Sequence, residues 1–156
     1  MRVLLKLELD CDPDAAWRAI KEPANLIALV KPVLVMRSLE PGGFPDEWHD
    51  GEPHEVAIDA LGVVPFGRQR IEPHFVERPD GVRMVVDEGG GTGGSLGLVT
   101  EWQHTMAVSA LPGGRTLFRD RLRVGAGALT PLVWLSMWAF WQYRAVRLRS
   151  LARSWR

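Results

Sequence analysis

The sequence predicts an α+β fold in which an antiparallel sheet packs against one long C-terminal helix. Three observations point there. Segments of alternating polarity recur from Val33 to Val124, bounded by glycine or proline. Two short helical stretches separate them from one further alternating segment at the start of the chain. After Pro131 no proline or glycine interrupts the chain to its end. Strands in one run and helices apart from them read as α+β, with strands that pair antiparallel.

In order, the first segment places Val3, Leu5, Leu7 and Leu9 on one side, with Lys6 and Glu8 on the other. That period of two is a half-buried strand. Asp12-Pro13 then starts a helix over about 13–20, since the carboxylate can accept an orphan N–H and proline suits the first helical position. The chain restarts at Glu22-Pro23 as a second short helix to about Val30, and Lys31-Pro32 stops it, because a residue before proline resists the helical region. Strands follow over 33–39, 54–61, 68–76, 82–87, 99–109 and 116–124, making seven with the first. Pro73 cannot donate a ladder hydrogen bond, so a bulge or an edge is expected there. Residues 40–53, rich in proline, glycine and acids, read as a long irregular loop. Thr130-Pro131 repeats the helix-start signal and opens a helix over roughly 130–154.

The 156 residues suit one domain, 1–156, large enough to bury a core without metal or disulfide staples. Nineteen basic and nineteen acidic side chains balance to zero, which lacks the usual footprint of a nucleic-acid binder. The single cysteine, Cys11, cannot form an internal disulfide, so a reducing cytoplasm is expected. The first ten residues alternate instead of forming a signal peptide. The longest apolar run, 132–141, is broken by Ser136 and is far short of the ~20 residues that span a bilayer, so stable membrane insertion is not expected. Oligomeric state is not legible.

The order of elements resembles the helix-grip fold of the START-like superfamily, also called SRPBCC, which includes the birch-pollen allergen family and polyketide cyclase-like proteins. The matching pieces are the opening strand with Asp12-Pro13-Asp14-Ala15-Ala16-Trp17, the strand Thr116-Leu117-Phe118-Arg119-Asp120-Arg121-Leu122, and Leu129-Thr130-Pro131-Leu132 at the start of the last helix. The resemblance covers nearly the whole chain and rests on architecture. It implies a curved seven-stranded sheet gripping the terminal helix, with a hydrophobic ligand held between them. The superfamily includes carriers, enzymes and co-chaperones, so fold alone leaves function open.

The candidate site falls on the last two strands. Trp102, His104, Met106 and Val108 share one face of 99–109; Phe118, Asp120, Leu122 and Val124 share one face of 116–124. Pro112-Gly113-Gly114 fits a three-residue hairpin loop that pairs Leu111 with Arg115, Met106 with Asp120 and His104 with Leu122. His104 and Asp120 are then diagonal neighbours, roughly 7–8 Å apart at the backbone. An inward carboxylate must be satisfied, by His104, Arg70, water or a ligand. Three roles stand open for the pair: a structural contact, a ligand-orienting pair, or a general acid/base.

Trp134, Trp138, Trp141, Ala145 and Leu148 form an apolar stripe on the last helix. It is either core or, since buried indoles want partners for their N–H, the flat wall of a cavity. The expected ligand-binding walls are Met84, Val86, Trp102, Met106, Phe118 and Leu122 on the sheet and Trp134, Trp138 and Trp141 on the helix. His104 and Asp120 would orient a hydrophobic small molecule of lipid, polyketide or aromatic type. The alternative is a polyketide cyclase- or dehydratase-like enzyme in which His104 and Asp120 move protons. A third use sets Trp155 and the C-terminal arginines on a membrane or partner surface.

No cofactor is expected. Gly89 to Gly94 matches GxGxxG, but a strand follows where a phosphate-binding helix is required. A flexible loop is the better account, with gating of the cavity an open use. His49 and His54, amid acids, match no metal-site spacing, so no metal is expected. Cys11 lacks a base partner and reads as an inert thiol.

Overall fold

The computed structural model describes residues 1–155, and its elements follow the punctuation of the chain. In order they are β1 (Arg2–Leu9), α1 (Pro13–Lys21), α2 (Pro23–Val30), β2 (Leu34–Ser38), β3 (His54–Ala60), β4 (Val64–Ile71), β5 (Pro73–Glu77), β6 (Arg83–Asp87) and β7 (Gly90–Gly94). A 3-10 turn (Ser95–Leu98), β8 (Glu101–Leu111), β9 (Arg115–Gly125) and α3 (Thr130–Ala152) complete the fold. At α1 the Asp12 Oδ1 accepts from the Asp14 N–H at 2.8 Å, with Pro13 in the first turn. The β8–β9 hairpin has the expected register: Leu111 faces Arg115, Met106 faces Asp120 and His104 faces Leu122.

The expected seven-stranded sheet is corrected to nine strands, among the described residues, in two antiparallel sheets. One runs β1-β9-β8-β6-β5 and the other β2-β3-β4-β7. The segment expected as one strand over 68–76 is two. The chain leaves the second sheet at Ile71 and enters the first at Pro73, where a residue without an N–H can open a strand. It returns after Asp87 to form β7. Both crossings hang on one carboxylate. Asp87 Oδ1 accepts from Glu72 N at 2.9 Å and Gly89 N at 3.1 Å, and Oδ2 accepts from Trp102 Nε1 at 3.1 Å. Asn in its place keeps the shape but turns one acceptor into a donor facing another donor. Asp87→Asn is therefore expected to lose about 1.5–3 kcal/mol in urea denaturation.

The glycine run is a strand, not a loop. β7 pairs with β4 through Gly90, Gly91, Gly93 and Gly94. The 3-10 turn folds back so tightly that a Cβ on Gly91 would lie 1.9 Å from the Leu96 carbonyl oxygen. Close backbone approach explains the composition, and it lets Leu96 insert its side chain into the core.

Helix α3 packs along β1 and β9. Its C-terminal half buries Ala145, Leu148 and Ala152 with Leu7, Leu9, Trp17 and Phe118 in a continuous core. Full burial of side chains such as Leu9 and Phe118 contributes about 1.5–3 kcal/mol each. Among the described residues no helix is long and apolar enough to cross a membrane. The zero net charge is not evenly spread. On the outer face of β1 and β9, Arg2 stands opposite Arg123 and Lys6 opposite Arg119, like-charge cross-strand pairs that cost stability.

Candidate functional site

The inner faces of the two sheets, together with α2 and α3, leave a gap between them unfilled. A cavity of about 270 Å³ remains, close to the lower end of ligand pockets. Its wall is almost wholly apolar. β8 contributes Trp102, His104 and Met106; β9 contributes Phe118; α3 contributes Met137, Phe140, Trp141, Arg144 and Leu148. The second sheet closes the far side with Met36, Ile58, Phe66 and Ile71, and α2 adds Leu26 and Leu29.

Asp120 lies behind this wall, 2% exposed, and is the hub of a buried network. Its Oδ1 meets His104 Nε2 at 2.8 Å and accepts from Trp141 Nε1 at 2.8 Å; its Oδ2 accepts from Arg144 Nη2 at 3.4 Å. Burial would raise its pKa, but the charges of His104 and Arg144 and the hydrogen bonds from His104 and Trp141 outweigh burial. The carboxyl is held below its ordinary value. An ionised carboxylate only accepts, so Nε2 of His104 carries the proton in this contact. Burial pulls the Arg144 guanidinium below its ordinary value, and Asp120 opposes that shift. The arrangement sets the imidazole in a T-shaped contact with Trp141, at 5.3 Å between ring centroids, and His104 lines the cavity.

Five of the eleven residues expected at the site, Trp102, His104, Met106, Phe118 and Trp141, line the cavity, and Asp120 supports two of them. The others do not line it. Met84 and Val86 lie on the outer face of β6, because the register sets Val85 against Met106 and Asp87 against His104 on the inner face. Leu122 shares the inner face of β9 but is sealed in core beneath α3 with Val3, Val124 and Trp141. Trp134 turns to the flank and donates to the Arg2 carbonyl at 2.7 Å. Trp138 is 45% exposed. The inward stripe of α3 is thus rotated from the expected indole stripe toward Met137, Phe140 and Arg144.

The structure also places the other residues considered in the sequence. Arg70 pairs with Glu55 and not with Asp120. Trp155 is buried and lines one end of the cavity, so it does not present its ring to a surface. His54 is buried against Phe44 and Ser38, whereas His49 is exposed. Burial pushes the Cys11 thiol up, against the lowering effect of the Thr116 hydroxyl.

Several wall residues were not anticipated. Trp48 sits in the long loop, yet its backbone N–H donates to Lys21 O at 2.8 Å and its indole is buried in the wall. A tryptophan amid acids and glycines was the available signal. Arg144 belongs to the same helix face as Trp141 and Leu148, which its spacing could have shown.

No family model matches the sequence, and no curated protein matches it. Solved structures do. Protein CV1439 from Chromobacterium violaceum is 17% identical, with 97% of this chain and 96% of that chain covered at a TM-score of 0.68. Norcoclaurine synthase from Thalictrum flavum, in complex with dopamine and hydroxybenzaldehyde, is 14% identical, with 99% and 87% covered at 0.64. TTHA0849 from Thermus thermophilus is 13% identical, with 99% and 98% covered at 0.62. At these identities the likeness is one of fold.

Proposed function

We propose that this protein binds a hydrophobic small molecule in the cavity between its two sheets and α3. The observation that carries the reading is the cavity itself: about 270 Å³ walled mainly by aromatic and aliphatic side chains, with a few polar groups among them. A well-packed core leaves few voids larger than a water molecule, so a space of this size is a departure that calls for an occupant. The complex of a structural neighbour with two small aromatic compounds supports the same use of the fold. An apolar ligand burying ~400 Å² gains about 10 kcal/mol at ~25 cal/mol per Å². Association costs of at least about 4 kcal/mol leave tens of micromolar affinity. Lipid, polyketide and aromatic skeletons all meet this description.

The test is mass spectrometry of solvent extracts from natively purified protein. One dominant apolar compound, near one equivalent and absent from heat-denatured and washed material, is the expected result. Extracts holding only a broad mixture of abundant cellular lipids at trace levels count against the reading.

A second reading is enzymatic, and one observation favours it: His104 stands in the wall with its ring orientation set by Asp120. Such an imidazole can shuttle a proton in an aldol cyclisation or dehydration. His104→Gln separates the two. Conversion of the extracted compound by wild type that is abolished in the variant while affinity is kept favours the enzyme; no conversion by wild type favours binding alone.

A further inference from the structure

The cavity reading does not by itself choose among apolar ligands, but one side chain in the wall does. Arg144 lines the cavity and is 6% exposed. A guanidinium carries five N–H donors and no acceptor. Here Nη2 makes a long contact to Asp120 Oδ2, 3.4 Å, and the Nε–H has no acceptor. Its carbon lies 4.6 Å from the Trp141 ring centroid, which shields the cation without hydrogen-bonding it. The more strongly bound oxygen of Asp120, Oδ1, is already taken by His104 and Trp141. So a buried cation faces the cavity with most of its donors unused. Buried donors left unsatisfied are costly, and a site that carries them discriminates against ligands without the matching acceptor.

Charge decides which acceptor. His104 stands directly opposite Asp87 on β6 and diagonal to Asp120 on β9. Two carboxylates therefore already surround this side of the cavity, with one guanidinium among them. A ligand carboxylate would bring a third negative charge into a low-dielectric space. Asp87 has no spare role to offer, since its oxygens already accept from Glu72 N, Gly89 N and Trp102 Nε1. An uncharged oxygen with strong acceptor character satisfies Arg144 without that repulsion.

The geometry points to an uncharged, carbonyl-bearing apolar ligand, its oxygen accepting from Arg144 and its apolar body lying against Phe66, Leu96 and Phe140. This rests on the cavity reading and narrows it to a chemical class.

The test uses three naphthalenes of one skeleton: 2-acetylnaphthalene, 2-ethylnaphthalene and 2-naphthoate. Each competes with the neutral dye N-phenyl-1-naphthylamine on the full chain. The ketone is expected to bind about tenfold tighter than the hydrocarbon, as a hydrogen bond to a charged donor gives, and tighter than the carboxylate. The carbonyl stretch of bound ¹³C-labelled ketone is expected below its position in alkane solvent. Arg144→Met should erase both the preference and the shift, and Arg144→Lys should keep part of each. If Arg144→Met does not fold, the wild-type series and the infrared band still decide. Hydrocarbon and ketone binding equally, or a carbonyl band at its alkane position, overturns the proposal while leaving the cavity reading intact. Tighter binding of the naphthoate overturns the choice of an uncharged ligand. Failure of the dye to bind at all overturns the cavity reading itself.

Discussion

Asp120→Asn is expected to lower folding stability by about 3–5 kcal/mol, the largest loss of any single conservative change in this chain. The substitution preserves shape and removes charge. Arg144 is then a buried cation without its counter-ion, and an amide N–H must face either the Arg144 donor or the two donors, His104 and Trp141, that converge on Oδ1. Removing both ends of the ion pair, in Asp120→Asn with Arg144→Met, should recover part of the loss, because the penalty lies in the unpaired charge. The pH dependence has a definite sign. Asp120 titrates lower in the folded protein than its ordinary value of 3.8. The unfolded chain therefore binds the proton more readily, and the stabilisation is fully present above the unfolded pKa. It fades as pH falls through the folded pKa. Urea denaturation between pH 7 and pH 2 should show wild type losing this increment below about pH 4, with the corresponding slope missing in Asp120→Asn. Parallel curves for the two proteins would mean that the carboxylate is not held as an ion.

Filling the cavity should abolish ligand binding at little structural cost. Ile58 lies on β3, in the wall contributed by the second sheet, and is buried. Tryptophan there extends into empty space instead of displacing packed atoms, and it suits a strand. Overpacking a filled core costs about 1–3 kcal/mol, so Ile58→Trp should stay at or below the low end of that range. Affinity for an apolar probe should fall at least about tenfold, since the probe and the indole compete for one volume. Unchanged affinity in a folded Ile58→Trp protein would place the probe elsewhere.

Much of this was readable where local chemistry leaves one solution. Pro112-Gly113-Gly114 set a hairpin whose register brought His104 and Asp120 together, and Asp12-Pro13 and Thr130-Pro131 marked two helix starts. The failures lie where side-chain period carries no phase. Met84, Val85 and Val86 are three apolar residues in a row, so alternation cannot say which faces in, and the inward Asp87 looks like an outward residue until its three donors are seen. The first half of α3 is apolar on every side, with Leu132 and Leu135 exposed, and so the inward stripe could not be placed from spacing. Glycines carry no pattern at all, and β7 was legible only through the backbone that presses on it. The second sheet followed from the same gap: one strand ending at Ile71 and another beginning at Pro73 look continuous in sequence.

The methionines offer the most direct measurement of whether an apolar guest occupies the space between the sheets. Met36, Met106 and Met137 line the cavity from β2, β8 and α3, whereas Met84 lies on the outer face of β6 and Met1 at the chain start is exposed. With ¹³C-methyl-labelled methionine, titration with N-phenyl-1-naphthylamine should shift the Met36, Met106 and Met137 resonances saturably toward one equivalent. Met1 and Met84 should stay in place. Shifts confined to Met1 or Met84, or no saturable shift at the three inner methyls, would contradict a ligand cavity in this protein.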